Sequence, residues 1–161
     1  MEFEKRLERA IQRGQRSGVE HGRETAAKVG SEEDLKGLHT QLRIELSEHI
    51  EECLRRVADH FLGFKYETVF GDEGWGARIS RDDVQVRAGQ SPSNAYSRLQ
   101  LVIRPFSSAR IVELNARGAI RNKETISRSH FQFLAEADVD SFRELIDLWV
   151  LEYAEQYATG K

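Results

Sequence analysis

The chain has 161 residues, and its 24 Lys+Arg and 27 Asp+Glu side chains give a net charge of −3. This length fits one domain with a real hydrophobic core, and the single cysteine, Cys53, excludes an intramolecular disulfide. No apolar stretch follows the first six residues, and no window approaches the ~20 apolar residues that a membrane span needs. We therefore expect a cytoplasmic protein without a signal peptide or a membrane segment.

Charge is distributed unevenly along the chain. Residues 64–130 hold 11 basic and 7 acidic side chains, a net charge of +4, whereas residues 131–161 hold 2 and 7, a net charge of −5. This asymmetry indicates either an anionic partner for the middle segment or internal pairing between the two segments.

Two helices are predicted before residue 63. The first begins with apolar residues at helical spacing, Phe3, Leu7 and Ile11, and weakens at the glycines that start with Gly14. We interpret residues 1–30 as a helical arm that is partly frayed, and residues 31–161 as a single domain.

The second predicted helix spans residues 31–62 and is the strongest helical pattern in the chain. Its apolar residues recur at spacings of three and four on one face. Such a helix is ~48 Å long, which exceeds the width of a small domain, so part of it is expected to pair with the first helix or with a second copy. The predicted self-association residues are Leu35, Leu38, Leu42 and Leu46.

From residue 64 the apolar period changes to two, which indicates β-strands. Short connections between consecutive strands predict an antiparallel meander. Arg81 to Asp83 is interpreted as a turn, residues 88–97 as a long loop, and Asn122-Lys123 as a hairpin connection. The six predicted strands are 64–70, 75–80, 84–87, 98–104, 112–120 and 124–134.

A C-terminal helix is predicted from about residue 138 to residue 158. Its apolar stripe includes Phe142, Ile146, Trp149 and Tyr153, which indicates packing on the apolar face of the sheet. The predicted fold is therefore α+β, with an N-terminal arm of two helices, a six-stranded antiparallel sheet and a C-terminal helix on that sheet.

No catalytic, metal or cofactor motif is recognised. The chain contains no G-x-S-x-G, P-loop or H-E-x-x-H sequence. His49 has acidic neighbours on its helix, but we interpret them as a solvated face because a metal site needs several converging ligands. Cys53 is interpreted as a buried structural thiol. The sequence thus predicts no catalytic residue, no metal and no cofactor.

One polar surface remains as a candidate site, the side of the sheet opposite its apolar row. Arginine offers five donors in a planar fork that suits carboxylates and phosphates. The alternative is an ordinary solvated face with Arg–Glu pairs across strands. The candidate residues for binding an anion or a partner are Arg78, Arg87, Arg98, Arg104, Arg117, Arg128 and His130.

Three functions follow from these patterns. The first is a non-enzymatic interaction module, adaptor-like or chaperone-like and homodimeric. The second is the binding of an anionic ligand, a nucleic acid or an acidic protein through the arginine-rich face. The third is a small-ligand pocket or an enzyme between the sheet and the last helix.

Overall fold

The computed structural model describes residues 3–13, 32–86 and 88–160, and the chain divides into two compact units, Met1–Gly37 and Leu38–Lys161. Residues 3–13 are helical and are called α1, and helix α2, Glu32–His60, crosses the boundary between the units. The prediction that the second helix belongs to an N-terminal arm is therefore wrong, because α2 belongs to the larger unit from Leu38 onward. No described helix combines the length and the apolar character needed to cross a membrane.

The larger unit contains one antiparallel sheet whose strands lie in the order of the chain. This confirms the predicted α+β class and antiparallel sheet, but the sheet has five strands and not six. The strands are β1 (Lys65–Val69), β2 (Trp75–Gln85), β3 (Ser93–Ile103), β4 (Ile111–Ile120) and β5 (Lys123–Phe133).

The predicted second and third strands are one strand, β2. The polar stretch from Arg81 to Asp83 does not turn, because it pairs with Ala95 to Ser97 at the start of β3. Arg81 also donates a hydrogen bond from Nε to Asp83 Oδ1 at 2.8 Å. Pairing with a neighbouring strand therefore keeps this polar stretch extended, and residues 93–97 of the predicted loop belong to β3.

Two helices cover one side of the sheet, which we call the inner face. Helix α3 (Val139–Ala158) packs against β4 and β5, which confirms the predicted C-terminal helix on the sheet. Tyr153 of α3 is fully buried and donates from its hydroxyl to the Ala119 carbonyl at 2.9 Å. In α2, the Arg43 guanidinium lies 4.3 Å from the ring centroid of Trp75 in β2.

The apolar stripe of α2 forms part of the hydrophobic core between the helices and the inner face of the sheet. Leu42 is 5% exposed and Leu46 is fully buried, while Leu38 is half-buried. Leu35 belongs to the unit that ends at Gly37. Leu42 and Leu46 are therefore not available to a second copy in the folded chain.

A β-bulge changes which side chains of β5 face the helices. Ala119 pairs with Glu124, but Gly118 pairs with Ile126, so Thr125 is an extra residue on β5. Beyond a bulge, the alternation of the longer strand is shifted by one residue relative to its partner.

This shift overturns the predicted orientation of two candidate residues. Arg128 lies opposite Ala116 and His130 lies opposite Leu114, and both partners are buried on the inner face. Arg128 and His130 therefore lie on the inner side of the edge strand, and the prediction that they share a face with the other arginines is wrong.

Candidate functional site

The outer face is the side of the sheet opposite α2 and α3, and it contains a depression of about 290 Å³. Val102, which is 3% exposed, places an apolar side chain among the polar ones that line this depression. We call this feature the arginine depression. It is lined by Glu73, Arg78, Arg98, Gln100, Val102, Arg104, Asn115 and Arg117.

Strand register brings these side chains together. Gln100 of β3 pairs with Arg78 of β2 on one side and with Arg117 of β4 on the other. Arg98 precedes Gln100 by two residues, so it lies about 7 Å along the same face. Arg104 follows the end of β3, where its backbone N–H donates to the Glu113 carbonyl at 2.8 Å. Four guanidinium groups, three from neighbouring strands and one from the residue after β3, therefore border one depression.

Two of the four arginines form ion pairs, and the pair formed by Arg78 is the closer one. Arg78 donates to Glu67 Oε2 and, at 3.4 Å, to Gln100 Oε1. This guanidinium holds the pKa of the Glu67 carboxyl below its usual value, chiefly through the hydrogen bond. Gln100 in turn donates to Glu73 Oε2 at 3.2 Å. Arg78 is thus partly neutralised and fixed in position.

The other three arginines are less compensated. Arg104 donates to the backbone carbonyl of Glu73 at 2.8 Å, which leaves its charge without a carboxylate partner at that contact. Arg117 reaches Glu124 Oε1 only at 3.4 Å, and both side chains are more than half exposed. Ion pairs this exposed contribute little free energy, because solvent screens the two charges. Within the described part of the chain, the side chain of Arg98 forms no hydrogen bond or ion pair.

The structure brings four of the seven candidate residues together and places Arg128 and His130 elsewhere. Arg128 forms an ion pair with Glu152 of α3 at 2.7 Å. The His130 ring packs edge-on against Phe142 with centroids 5.2 Å apart, and burial lowers its pKa. Arg87 lies outside the described residues. The four that converge are Arg78, Arg98, Arg104 and Arg117.

Sequence reasoning missed two further features of the outer face. Glu73 lies in the β1–β2 turn, and only the strand pairing shows that this turn reaches the end of β3. The bulge also turns Phe131 and Phe133 outward, where they are 54% and 45% exposed with ring centroids 6.1 Å apart. A bulge leaves no marker in the residue pattern, so no signal in the sequence identified this aromatic pair.

The interface between the sheet and α3 is filled by side chains. Phe142 and Ile146 of α3 are fully buried, as is Leu114 of β4. A depression of about 430 Å³ lies at the rim, where Glu152 and Glu155 contribute two carboxylates and Lys123 contributes one ammonium group. A rim lined by two carboxylates does not favour an anion, so the arginine depression is the better candidate site.

Comparisons with known proteins give no relative from which to transfer a function. No protein-family model, curated protein or solved structure matches the chain significantly.

Proposed function

We propose that this chain is an interaction module that recognises an acidic segment of a partner protein on the outer face of its sheet. The convergence of four guanidinium groups around the arginine depression carries the proposal. Arginine binds carboxylates in a planar, two-point geometry, and hydrogen bonds to charged groups are stronger than neutral ones. Arg98 is the strongest anchor because no described residue neutralises it.

The surroundings of the depression favour an acidic peptide over a nucleic acid. The chain carries a net charge of −3, and Glu67, Glu73 and Glu124 border the arginines, so a long polyphosphate would be repelled along its path. Exposed Phe131 lies on the same face and offers an apolar contact beside the charges. An acidic segment with an apolar side chain satisfies both features.

We expect the double substitution Arg98→Glu and Arg117→Glu to weaken binding of a labelled oligoglutamate peptide containing one phenylalanine by at least about tenfold, since each charge-assisted hydrogen bond contributes about 1.5–3 kcal/mol. Fluorescence anisotropy at low and high salt measures the affinity, which should fall as salt rises. Urea melts should stay within ~0.5 kcal/mol of the wild type because both positions are on the surface.

The matched control is the double variant Arg56→Glu and Arg143→Glu, which changes the net charge equally. Both arginines lie on helices and pair within their own helix. This control should bind the peptide like the wild type. The proposal is contradicted if both double variants bind equally, or if the wild type prefers a single-stranded oligonucleotide.

A second candidate function is self-association through α1. Its apolar row, Phe3, Leu7 and Ile11, is 74%, 46% and 51% exposed. Pairing of this row would stabilise the helix, because it removes apolar side chains from water. We propose that the row contacts the same row of a second copy.

Sedimentation velocity at micromolar concentration tests this candidate. We expect a dimer that dissociates when Leu7 and Ile11 are both replaced by glutamate, because charges do not pack in an apolar interface. The comparison variant replaces Leu148 and Leu151 of α3 with glutamate. These two side chains are 58% and 66% exposed. A monomeric wild type, or a dimer lost only in the α3 variant, would show that α1 is not the interface.

A further inference from the structure

Three potential metal ligands converge where α2 and α3 meet. His49 Nε2 lies 2.7 Å from Asp147 Oδ1. Cys53 Sγ lies 3.6 Å from the same histidine nitrogen and 3.4 Å from the same aspartate oxygen. His49 and Cys53 are one helical turn apart on α2, and Asp147 comes from α3, so two helices contribute to the cluster.

The arrangement is unlike that of an activated cysteine nucleophile. In such a site the histidine accepts from the thiol with one ring nitrogen and donates to the acid with the other. Here the single atom His49 Nε2 faces both Cys53 and Asp147. Burial, reinforced by Asp147, also raises the pKa of the Cys53 thiol to about 12, so the free thiol stays protonated.

We infer that His49, Cys53 and Asp147 bind a zinc ion through Nε2, Sγ and one carboxylate oxygen. Around tetrahedral zinc, bond lengths of about 2.0–2.3 Å place a sulfur ligand about 3.5–3.6 Å from a nitrogen or oxygen ligand. The two distances from Cys53 Sγ, 3.6 and 3.4 Å, already lie within about 0.1 Å of this separation. The third, between Nε2 and Oδ1, must open by about 0.6 Å as a hydrogen bond is replaced by coordination.

The ligand set favours zinc over harder cations. Thiolate and imidazole suit zinc, whereas calcium and magnesium prefer oxygen ligands. The neighbouring Glu52 and Arg56 pair with each other at 2.6 Å, so they largely compensate each other's charge. Zinc displaces the Cys53 proton, which passes to the buffer, and the sulfur then binds as a thiolate.

The site is reachable from solvent, which can supply a fourth ligand. The side chains of His49 and Asp147 are 24% and 51% exposed. Zinc sites with three protein ligands keep the fourth position for water or another ligand. Because the ligands come from α2 and α3, bound zinc would join the two helices that cover the inner face and stabilise the folded chain by mass action.

The sequence predicted no metal here, because the third ligand is distant along the chain. Asp147 is 94 positions from Cys53, and only the packing of α3 beside α2 brings them together. The i, i+4 pair His49 and Cys53 has, by itself, too few ligands to predict a site.

Titration of the full chain with cobalt(II), followed by displacement with zinc, tests the inference. We expect one cobalt per chain with a thiolate-to-cobalt charge-transfer band in the near ultraviolet, and a melting temperature that rises when zinc is added. Cys53→Ser should abolish the band. His49→Gln and Asp147→Asn should each weaken zinc binding by at least about tenfold, the smallest loss seen even for outer partners of metal ligands.

The matched control is His60→Gln, which removes a second, exposed histidine from the same helix. It should bind cobalt like the wild type. Circular dichroism without metal establishes that each variant is folded. If substitution of a more buried ligand disturbs the helix, the exposed Asp147→Asn variant still tests the site. The absence of a stoichiometric cobalt complex, or an unchanged band in Cys53→Ser, would overturn the inference.

Discussion

Replacing Trp149 with alanine should lower the free energy of unfolding by about 3–5 kcal/mol, the cost typical of removing a buried aromatic side chain. Trp149 is 5% exposed and belongs to the stripe by which α3 packs on the sheet. Neighbours one turn away on each side, Ile146 and Tyr153, are fully buried, so little rearrangement is available to fill the space. Equilibrium urea unfolding, followed by circular dichroism, measures the change.

The preceding residue supplies a matched control. Leu148 lies on the same helical turn but is 58% exposed. Leu148→Ala should therefore change the free energy of unfolding by no more than ~0.5 kcal/mol. A loss below ~1 kcal/mol for Trp149→Ala would show that the indole does not stabilise the core and is available to a partner.

Gly76→Ala should destabilise the chain by about 3 kcal/mol, at the upper end of the usual cost of overpacking. A Cβ atom at this position would overlap the carbonyl oxygen of Leu101 and lie 2.9 Å from Val102 Cα, both in the paired strand β3. Because the obstructing atoms are backbone atoms, no side-chain rotation relieves the clash. The β2–β3 pairing must shift, and it also positions Arg78 beside Gln100.

Gly37→Ala is a control with the opposite expected sign. Gly37 lies within α2, where an added Cβ meets no atom within 4 Å, so alanine should stabilise the helix by about 0.5–1 kcal/mol. Thermal and urea unfolding of both variants give the comparison. A Gly76→Ala chain as stable as the wild type would contradict the close approach of the two strands.

The sequence by itself determined the elements that depend on local patterns. The long helix predicted at 31–62 is observed as Glu32–His60, and the C-terminal helix predicted at 138–158 is observed as Val139–Ala158. Each has an apolar stripe at helical spacing, a signal contained in the contiguous chain. The alternating residues after position 64 likewise predicted an antiparallel sheet with short connections, because a period of two is a local property of strands.

Pairing between strands decided what the local pattern did not. The polar residues Arg81 to Asp83 predict a turn, but pairing with β3 keeps them extended. Two predicted strands are therefore one strand, β2. The extra residue Thr125 reverses the faces of β5, which takes Arg128 away from the other arginines and exposes Phe131. One inserted residue inverts every later side chain, and its position depends on the partner strand, which the local pattern does not reveal.

Tertiary packing also decided which residues form sites. The arginine depression requires the register that aligns Arg78, Gln100 and Arg117 across three strands. The cluster of His49, Cys53 and Asp147 requires α3 to lie beside α2. Both sites join residues far apart in the chain, so their geometry arises from long-range contacts, whereas periodicity in the sequence reports only which face each residue occupies within its own element.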